Sequence, residues 1–306
     1  MYEVVIIGGG PAAVAAGVYA ARKKLAVALI ADSIGGQSLV SAGIENWIGT
    51  VSVSGVALAK MLETHLRAQE DIAIKVPERV RTVRKGEGHF VVETDKGIHR
   101  TKTVLVATGG HHRHLNVPGE DAFNGKGVAY CATCDAPLFR GKAVAVVGGG
   151  NSGLEAVIDL LPYAEKIYLI ALDHSLRGDP VTQEKVKSDP KVTIIYGAET
   201  KEIKGNVFVE ELRYTDRASG EDKTIAVNGV FVEIGSAPSS DIVKDLVTLN
   251  AYGEIIIDHR TCATSMDGIF AAGDVTDAPY KQNNIAAGDG IKALLSAYDY
   301  VTKGKA

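Results

Sequence analysis

The sequence predicts an α/β protein built on two βαβ units, each with its own parallel sheet covered by helices. A short apolar, β-branched run followed by glycines occupies residues 4–10, and the same pattern returns at residues 144–150. Each is followed by a helical stretch and a second apolar run. Because parallel strands need a crossover helix between them, two such units in 306 residues indicate two sheets.

The remaining elements follow from length and pattern. The first unit predicts a helix over residues 12–24 and a strand over 25–30, and the second predicts a helix over 152–161 and a strand over 167–172. Further strands are short apolar runs between turn residues, at 104–107, 192–196, 207–214, 224–234, 253–258 and 268–273. Two more amphipathic helices are expected, over 54–69 with a Ser54 cap and over 285–301.

Composition excludes several classes of function. The 33 basic and 37 acidic residues are interspersed, so neither a nucleic acid nor a membrane surface is an expected partner. The uncharged stretch 4–21 contains a run of three glycines followed by a proline and has no basic segment before it, which argues against a signal peptide or a membrane span. Three cysteines cannot form a secreted disulphide framework, so a reducing, cytoplasmic setting is favoured.

The first glycine-rich turn has the pattern of a dinucleotide site. Gly8 and Gly10 stand between a strand and a helix that opens with Pro11 and Ala12. Without side chains there, the backbone can close on a pyrophosphate at the helix N-terminus. Asp32 lies about where an acid that binds the ribose is expected.

The second turn predicts a second dinucleotide. All three glycines of the pattern are present, and the helix opens directly after them; the residues of this turn are Gly148, Gly150, Asn151, Ser152 and Gly153. Asp173 follows the next strand, and Arg177 is the nearest basic residue. Because a 2′-phosphate usually needs several basic side chains, NADH is favoured over NADPH.

The pair Cys131 and Cys134 can be half of a zinc site, a redox dithiol or a chance spacing. A zinc site needs two more ligands, and the candidates are Cys262 and the group His111, His112 and His114, whose spacing is irregular. We therefore expect no metal and interpret the pair as a redox dithiol. Asp135 is then placed to exchange a proton as the disulphide opens. We expect an inert Cys262 thiol and a solvated basic hinge at the histidines.

Taken together, these motifs resemble those of low-molecular-weight thioredoxin reductases. The stretches that carry the resemblance span the chain: Gly8-Gly-Gly-Pro11, Gly35-Gly-Gln37, Glu45-Asn-Trp47, Ala107-Thr-Gly109, Val117-Pro-Gly-Glu120, Cys131-x-x-Cys-Asp135, Gly148-Gly-Gly-Asn-Ser-Gly153 and Phe270-Ala-Ala-Gly-Asp274. Several later stretches are more similar to the reductase part of the alkyl hydroperoxide reductase flavoprotein. That relative carries a thioredoxin-like module before the flavin motif, whereas this sequence starts at the motif, so a separate carrier protein is expected.

The resemblance implies two Rossmann-like dinucleotide-binding domains in the three-layer, class II architecture of pyridine nucleotide-disulphide oxidoreductases. Residues 1–112 and 243–306 would form a discontinuous FAD domain, and 113–242 an inserted NAD(P) domain carrying the dithiol. It assigns to FAD the first glycine turn and a further set of residues, namely Gly36, Gln37, Asn46, Thr108, Gly109, Gly273, Asp274 and Gln282.

The resemblance also implies an electron path. Cys134 would face the flavin, Cys131 would exchange with a thioredoxin- or glutaredoxin-like protein disulphide, and the small domain would rotate between the two in a homodimer. The basic residues typical of NADPH-using members are replaced by Ala171, Leu172 and Asp173, and NADH-using relatives often have Glu at the first of these positions. The nucleotide therefore stays open. A dithiol oxidase, a reductase fed by ferredoxin or another flavin, and a non-catalytic flavin redox sensor are the alternatives.

Overall fold

The computed structural model describes residues 1–41 and 43–304 and divides into two compact units. Unit 1 comprises Met1–His111 and Ala237–Ala306, and unit 2 comprises His112–Ser236. Each unit has apolar cores of its own, which are built around the strands of its parallel sheet.

Strands and helices alternate within residues 2–75 and 143–195, as expected for βαβ units, and each of these stretches is followed by a run of consecutive strands. The elements up to the start of unit 2 are β1 (Tyr2–Ile7), α1 (Pro11–Arg22), β2 (Val27–Ile30), a 3-10 helix (Gly36–Val40), α2 (Gly55–Arg67), β3 (Ile72–Lys75), β4 (Val80–Lys85), β5 (Phe90–Thr94), β6 (Ile98–Val106) and β7 (Gly110–His112). Those of unit 2 are β8 (Val128–Ala129), α3 (Ala132–Asp135), a 3-10 helix (Ala136–Phe139), β9 (Ala143–Val147), α4 (Asn151–Leu160), β10 (Lys166–Ile170), α5 (Pro180–Ser188), β11 (Val192–Ile195), β12 (Ala198–Gly205), β13 (Val209–Asp216), β14 (Asp222–Ala226), β15 (Gly229–Val232) and β16 (Ser236–Pro238). The chain ends with 3-10 helices at Asp241–Val243 and Gly273–Val275, β17 (Ile269–Ala271) and α6 (Asn283–Lys303).

The sheet of unit 1 has seven strands in the order β3-β2-β1-β6-β5-β4, with β17 pairing to β6. The strands β3, β2, β1, β6 and β17 are parallel, whereas β4 and β5 are antiparallel additions. Val4, Val5 and Ile6 are fully buried because helices cover the central strands. The carboxyl ends of the parallel strands consequently meet at one edge of this sheet.

The main sheet of unit 2 is parallel, in the order β11-β10-β9-β15-β8. Its strand order reverses between β9 and β15, which is the position where parallel α/β sheets open a crevice for ligands. An antiparallel sheet, β12-β13-β14, and a two-stranded sheet, β16-β7, complete the topology. Helix α2 begins as predicted, with the Ser54 side chain accepting a hydrogen bond from the backbone N–H of Ala57 at 3.2 Å.

Two predicted strands are wrong. The run 224–234 splits into β14 and β15, which belong to different sheets. The split falls between Val227, whose N–H donates to Glu210, and Asn228, whose N–H donates to Ala143 of β9. The run 253–258 forms only isolated bridges, because Ile255 pairs with Leu249 and Thr276 whereas Ile257 pairs with Thr264, so no continuous ladder develops.

Within the described ranges, none of the helices combines the length and the apolar character needed to cross a lipid bilayer.

Candidate active site

The dithiol lies at the carboxyl edge of the parallel sheet of unit 2. Cys131 follows β8 in an extended conformation, and its carbonyl oxygen accepts hydrogen bonds from the N–H groups of Cys134 and Asp135, at 3.2 and 3.0 Å. These bonds wind residues 132–135 into one helical turn, which brings the two cysteine Cα atoms to 5.3 Å. The sulfurs are joined as a disulphide, and both residues are half-buried. Partial exposure is what a redox disulphide needs, because its reaction partners must reach the sulfurs.

Acidic side chains surround this turn. Burial raises the pKa of the Asp135 carboxyl to about 6. Glu233, which follows β15, accepts a hydrogen bond from the N–H of Ala132 at 3.4 Å, and the hydroxyl of Thr133 donates to Asp159 at 2.6 Å. Burial, followed by the negative charges of Asp159, Glu155 and Asp135, raises the pKa of Glu233 to about 8. Two carboxyl groups with raised pKa values, Asp135 and Glu233, therefore lie beside the dithiol.

The second glycine turn lies at the same edge, directly after β9. Gly148 has a φ of +142°, and a Cβ there would overlap the carbonyl oxygen of Glu233. Gly150 precedes α4, and a Cβ on it would meet no atom within 4 Å. The first N–H groups of α4, from Asn151 to Gly153, thus face an open cradle, which fits a dinucleotide pyrophosphate.

The polar residues after β10 lie beside this turn. Arg177 forms an ion pair with Asp173 at 2.7 Å, and its backbone N–H donates to Gly149 at 2.8 Å. The side-chain oxygen of Asn151 accepts from the N–H of Asp179 at 2.7 Å, which fixes the same loop. The Arg177 charge next to the cradle is therefore already paired with a carboxylate.

The glycine turn of unit 1 has the corresponding geometry. Gly8 has a φ of +130°, and a Cβ on it would overlap the backbone of Ala107 at the end of β6. Gly10 is the N-cap of α1, and the nearest atom to a Cβ there would be the Gly36 Cα at 3.9 Å. The cradle at the start of α1 is therefore open as well and fits a second pyrophosphate.

The structure brings most of the residues assigned to FAD together in unit 1. Gly36 packs on Gly10, and the Gln37 side-chain amide donates to the carbonyl of Gly110. The side chains of Asn46 and Gln282 are hydrogen-bonded at 3.0 Å. Thr108 and Gly109 follow β6, and the Thr108 hydroxyl donates to Ser239 at 2.7 Å. All of these residues lie in unit 1.

Asp274 provides a direct test of whether FAD fits. Gly273 lies against Ala12 at the start of α1, so the next residue, Asp274, is carried to the same edge. Its carboxylate is half-buried, has no hydrogen-bond donor within residues 1–41 and 43–304, and burial raises its pKa. A ribityl hydroxyl would supply the missing donor, so the residues present fit the cofactor.

Asp32 and Lys281 complete the surroundings of the FAD cradle. Asp32 is exposed and pairs with Arg79 at 2.6 Å through one carboxylate oxygen, which leaves the other oxygen for a ribose hydroxyl. Lys281 is half-buried. Its ammonium donates to the carbonyl oxygens of Asp274 and Thr276 and pairs with Glu254 at 3.0 Å, which fixes the turn that carries Asp274.

Of the histidines that we expected to be solvated, His111 and His114 are exposed and His112 is half-buried. The rings of His112 and His114 lie 5.5 and 5.2 Å from the ring of Tyr130, the residue before Cys131. The Tyr130 hydroxyl also donates to buried Glu120 at 3.0 Å, so these groups form one network. Cys262 is buried, and burial raises the pKa of its thiol to about 11. Among the residues described, no three His, Cys, Asp or Glu side chains are grouped as metal ligands.

Sequence reasoning missed Glu233 and Lys281. Glu233 falls inside the run that predicted one long strand, so its place at the end of β15 was hidden. The sequence signal that could have identified it is an acidic residue directly after an apolar run, residues 230–232, which the structure buries. Lys281 carries no clear sequence signal, because two of its partners are backbone carbonyls, of Asp274 and Thr276, which no side-chain pattern marks.

Comparison with known proteins agrees with this geometry. The chain is 44% identical to the F component of alkyl hydroperoxide reductase from Pseudomonas putida and 42% identical to an NADH dehydrogenase of Bacillus subtilis, over 100% and 99% of this chain. It spans 59% of the length of each of these relatives. The structure is similar to the crystal structure of thioredoxin reductase from Streptococcus pyogenes, with a TM-score of 0.92, 35% identity and 99% coverage of both chains.

These relatives agree with the predicted α/β class and with the resemblance to thioredoxin reductases. The family model for pyridine nucleotide-disulphide oxidoreductases matches residues 2–290. Because this match covers nearly the whole chain, the protein belongs to the pyridine nucleotide-disulphide oxidoreductase family, whose members use FAD and NAD(P)H.

Proposed function

We propose that the protein is a thioredoxin reductase-like flavoenzyme that passes electrons from NADH through FAD and the Cys131–Cys134 disulphide to a protein disulphide. The observation that carries this proposal is the position of the disulphide at the same sheet edge as the Gly148 turn, with a second, separate dinucleotide cradle in unit 1. Similarity to thioredoxin reductase and to the alkyl hydroperoxide reductase component supports the reaction type.

We assign FAD to the cradle of unit 1 and the nicotinamide nucleotide to that of unit 2. When bound, FAD supplies the chemistry that converts hydride transfer from the nicotinamide nucleotide into two-electron reduction of the disulphide. The N-terminus of α1 holds the pyrophosphate, Asp274 accepts from a cofactor hydroxyl, and Asn46 and Gln282 present amide groups. In unit 2, the N-terminus of α4 holds the second pyrophosphate.

The dithiol carries electrons by thiol–disulphide exchange. Two electrons and two protons open the Cys131–Cys134 bond and give one thiol on each residue. The Cys131 thiolate then attacks the partner disulphide and releases one partner thiolate, and Cys134 attacks the mixed disulphide and releases the second. Asp135, whose pKa is near 6, exchanges protons with the sulfur that leaves or arrives.

NADH is the nucleotide that the charge arrangement favours. A 2′-phosphate at the edge of β10 would meet the Asp173 carboxylate, and the Arg177 charge that could bind it is already paired at 2.7 Å. A ribose diol, in contrast, can donate to Asp173. The name of the Bacillus subtilis relative, NADH dehydrogenase, supports the same choice.

We propose a thioredoxin- or glutaredoxin-like protein as the disulphide partner, a homodimer as the assembly and the cytoplasm as the location. The relatives support a partner that is itself a protein disulphide. The assembly and the location rest on the family resemblance and on the small number of cysteines.

The substitution Cys134→Ser tests the proposal. We expect FAD to stay bound and NADH to reduce it, while NADH-driven reduction of a panel of small CxxC proteins falls at least a thousandfold, because one sulfur cannot form the exchangeable disulphide. Cys262→Ala, which alters a buried thiol outside the dithiol, should keep the wild-type rate. A Cys134→Ser protein with wild-type disulphide reduction would refute the assignment.

Two measurements on the wild-type protein separate the alternatives: anaerobic titration of the flavin with NADH or NADPH, and turnover with the CxxC proteins. A dithiol oxidase or a reductase fed by ferredoxin or another flavin would show no flavin reduction by NADH or NADPH in an anaerobic titration. A redox sensor would accept electrons but show negligible turnover with every carrier.

A further inference from the structure

Glu233 lies where the nucleotide turn and the dithiol of unit 2 meet. Its backbone N–H donates to Val147 at 2.8 Å, and its carbonyl oxygen lies against Gly148, the first glycine of the turn. It follows β15, directly beside the point where the strand order of the sheet reverses. Glu233 is therefore at the crevice in which a parallel α/β sheet binds its ligand.

The side chain of Glu233 points to the dithiol. Its Oε1 accepts from the N–H of Ala132, the residue directly after Cys131, at 3.4 Å. This N–H belongs to the first turn of α3, where no helical carbonyl is available to accept it. Glu233 is thus a side chain that contacts the backbone between the two cysteines.

Within the described part of the chain, no basic side chain forms an ion pair with this carboxyl group. The charged groups that act on it are Asp135 of α3 and Glu155 and Asp159 of α4. None of these four carboxyls forms an ion pair with a basic side chain in residues 1–41 and 43–304, and Lys185 of α5, which lines a surface pocket with Glu155 and Asp159, pairs with neither. Like charges without a cation disfavour a further ionisation.

We propose that Glu233 is a positioning residue of the dithiol, and that its uncharged carboxyl holds the backbone after Cys131 while its ionisation in alkaline solution suppresses thiolate formation. This inference rests on the proposed redox role of Cys131 and Cys134. It adds an acid that the sequence motif around the cysteines does not contain.

The two protonation states have different effects on the dithiol. A neutral carboxyl accepts the Ala132 N–H and adds no charge near the sulfurs. An ionised Glu233 would add a negative charge beside the turn that carries the cysteines, and a nearby negative charge raises the pKa of a thiol. The shift of the Glu233 pKa to about 8 places this change within the range of ordinary assays.

The test measures alkylation of the dithiol in the FAD-bound protein after reduction with dithiothreitol and removal of the reductant. Iodoacetamide modification of Cys131 and Cys134 is followed by peptide mass spectrometry between pH 5 and 10, in the wild type, Glu233→Gln, Glu233→Ala and Glu221→Gln. Glu221 is an exposed carboxylate of the same unit and serves as the control.

We expect wild-type alkylation above pH 8 to be slower than that of Glu233→Gln by threefold or more, because ionised Glu233 raises the pKa of the thiols. Glu233→Gln keeps an amide oxygen for Ala132 but cannot ionise, so its rate should match the wild type at pH 6 and exceed it above pH 8. Glu233→Ala should also lose the alkaline suppression and differ from Glu233→Gln at pH 7 by threefold or more, since the N–H of Ala132 then has no acceptor.

Two results would overturn the inference: equal alkylation rates of the wild type and Glu233→Gln above pH 8, or identical profiles for the Gln and Ala variants at every pH. The experiment needs neither a nucleotide nor a partner protein. If the proposed function fails because NADH or the carriers do not react, the alkylation profiles still decide the role of Glu233.

Discussion

Two carboxyl groups beside the dithiol differ in their protonation. Burial raises the pKa of Asp135 to about 6 and, with neighbouring negative charges, that of Glu233 to about 8. At neutral pH the first is mostly ionised and the second mostly protonated, which is the usual basis for dividing acid and base roles. Because both pKa values lie above those of the unfolded chain, the free energy of unfolding falls as the pH rises through the interval between the unfolded and folded values.

The raised pKa of Asp135 predicts how disulphide reduction depends on pH. If protonated Asp135 donates to the departing sulfur, kcat/KM for the partner disulphide should fall as the pH rises through about 6. Asp135→Asn removes the donor, so we expect at least a tenfold loss at pH 6 and no inflection there. Stopped-flow measurement of partner reduction between pH 5 and 8 gives both quantities.

Flavin reduction by NADH provides the control for Asp135→Asn, because that step does not involve the dithiol. It should proceed at the wild-type rate. An Asp135→Asn protein that keeps the inflection near pH 6 would assign that inflection to another group.

At the scale of single residues, the sequence predicts groups that belong to a local motif and misses those that act across the fold. Cys131, Cys134 and Asp135 stand together, so their spacing alone predicts a redox turn. Glu233 meets Ala132 only because β15 and β8 are neighbours in the sheet. No local pattern contains that information, since strand order depends on packing between distant segments.

Helix α6 contains a pair of glycines with opposite surroundings. Gly290 is buried, and a Cβ on it would overlap the carbonyl oxygen of Ala12 in α1. Gly288, two residues earlier, is exposed and has no atom within 4 Å of a Cβ. Side chains two positions apart on a helix face different directions, so the two glycines report separately on packing and on helix propensity.

This pair yields a prediction at the level of one element. Gly290→Ala should lower the free energy of unfolding by about 2 kcal/mol, because α6 must move away from α1. Gly288→Ala should raise it by about 0.5–1 kcal/mol, because alanine is the better helix former. Urea unfolding followed by circular dichroism measures both. Equal effects of the two substitutions would contradict the close approach of α1 and α6.

The elements that were predicted best are those with a strong local pattern. Both glycine turns, their flanking strands and helix α2 with its Ser54 cap are confirmed. The division of 224–234 coincides with Asn228-Gly229, a dipeptide that is typical of turns, so the sequence does contain a signal for it, which the apolar residues on both sides obscured. The bridges of Ile255 and Ile257, in contrast, depend on three separate loops.

At the scale of the whole molecule, the two units share one arrangement of sheet, glycine turn and helix. Each has a parallel sheet with an open cradle at the N-terminus of the helix that follows the glycine turn, Gly10 in unit 1 and Gly150 in unit 2. The repeated turn predicts two sheets from the sequence alone. The antiparallel strands β4 and β5 and the sheet β12-β13-β14 carry no such signal, because their residues are mixed in polarity and half-exposed.

The two cradles predict separate responses to ligands. Because each unit has its own apolar core, we expect calorimetry of the FAD-free protein to resolve two unfolding transitions. FAD at one hundred times its Kd should stabilise one transition by about 2.7 kcal/mol, and NADH at the same excess the other.

Gly10→Ala and Gly150→Ala are matched tests of this assignment. Each adds a methyl group at a position with space for it, so both variants should fold. The methyl would occupy the space in which the backbone and the pyrophosphate approach each other. We expect Gly10→Ala to lose the shift caused by FAD and keep the shift caused by NADH, and Gly150→Ala to do the reverse. If FAD still stabilises Gly10→Ala as it does the wild type, FAD is not held at the start of α1, and the assignment of the two cofactors to the two units is wrong.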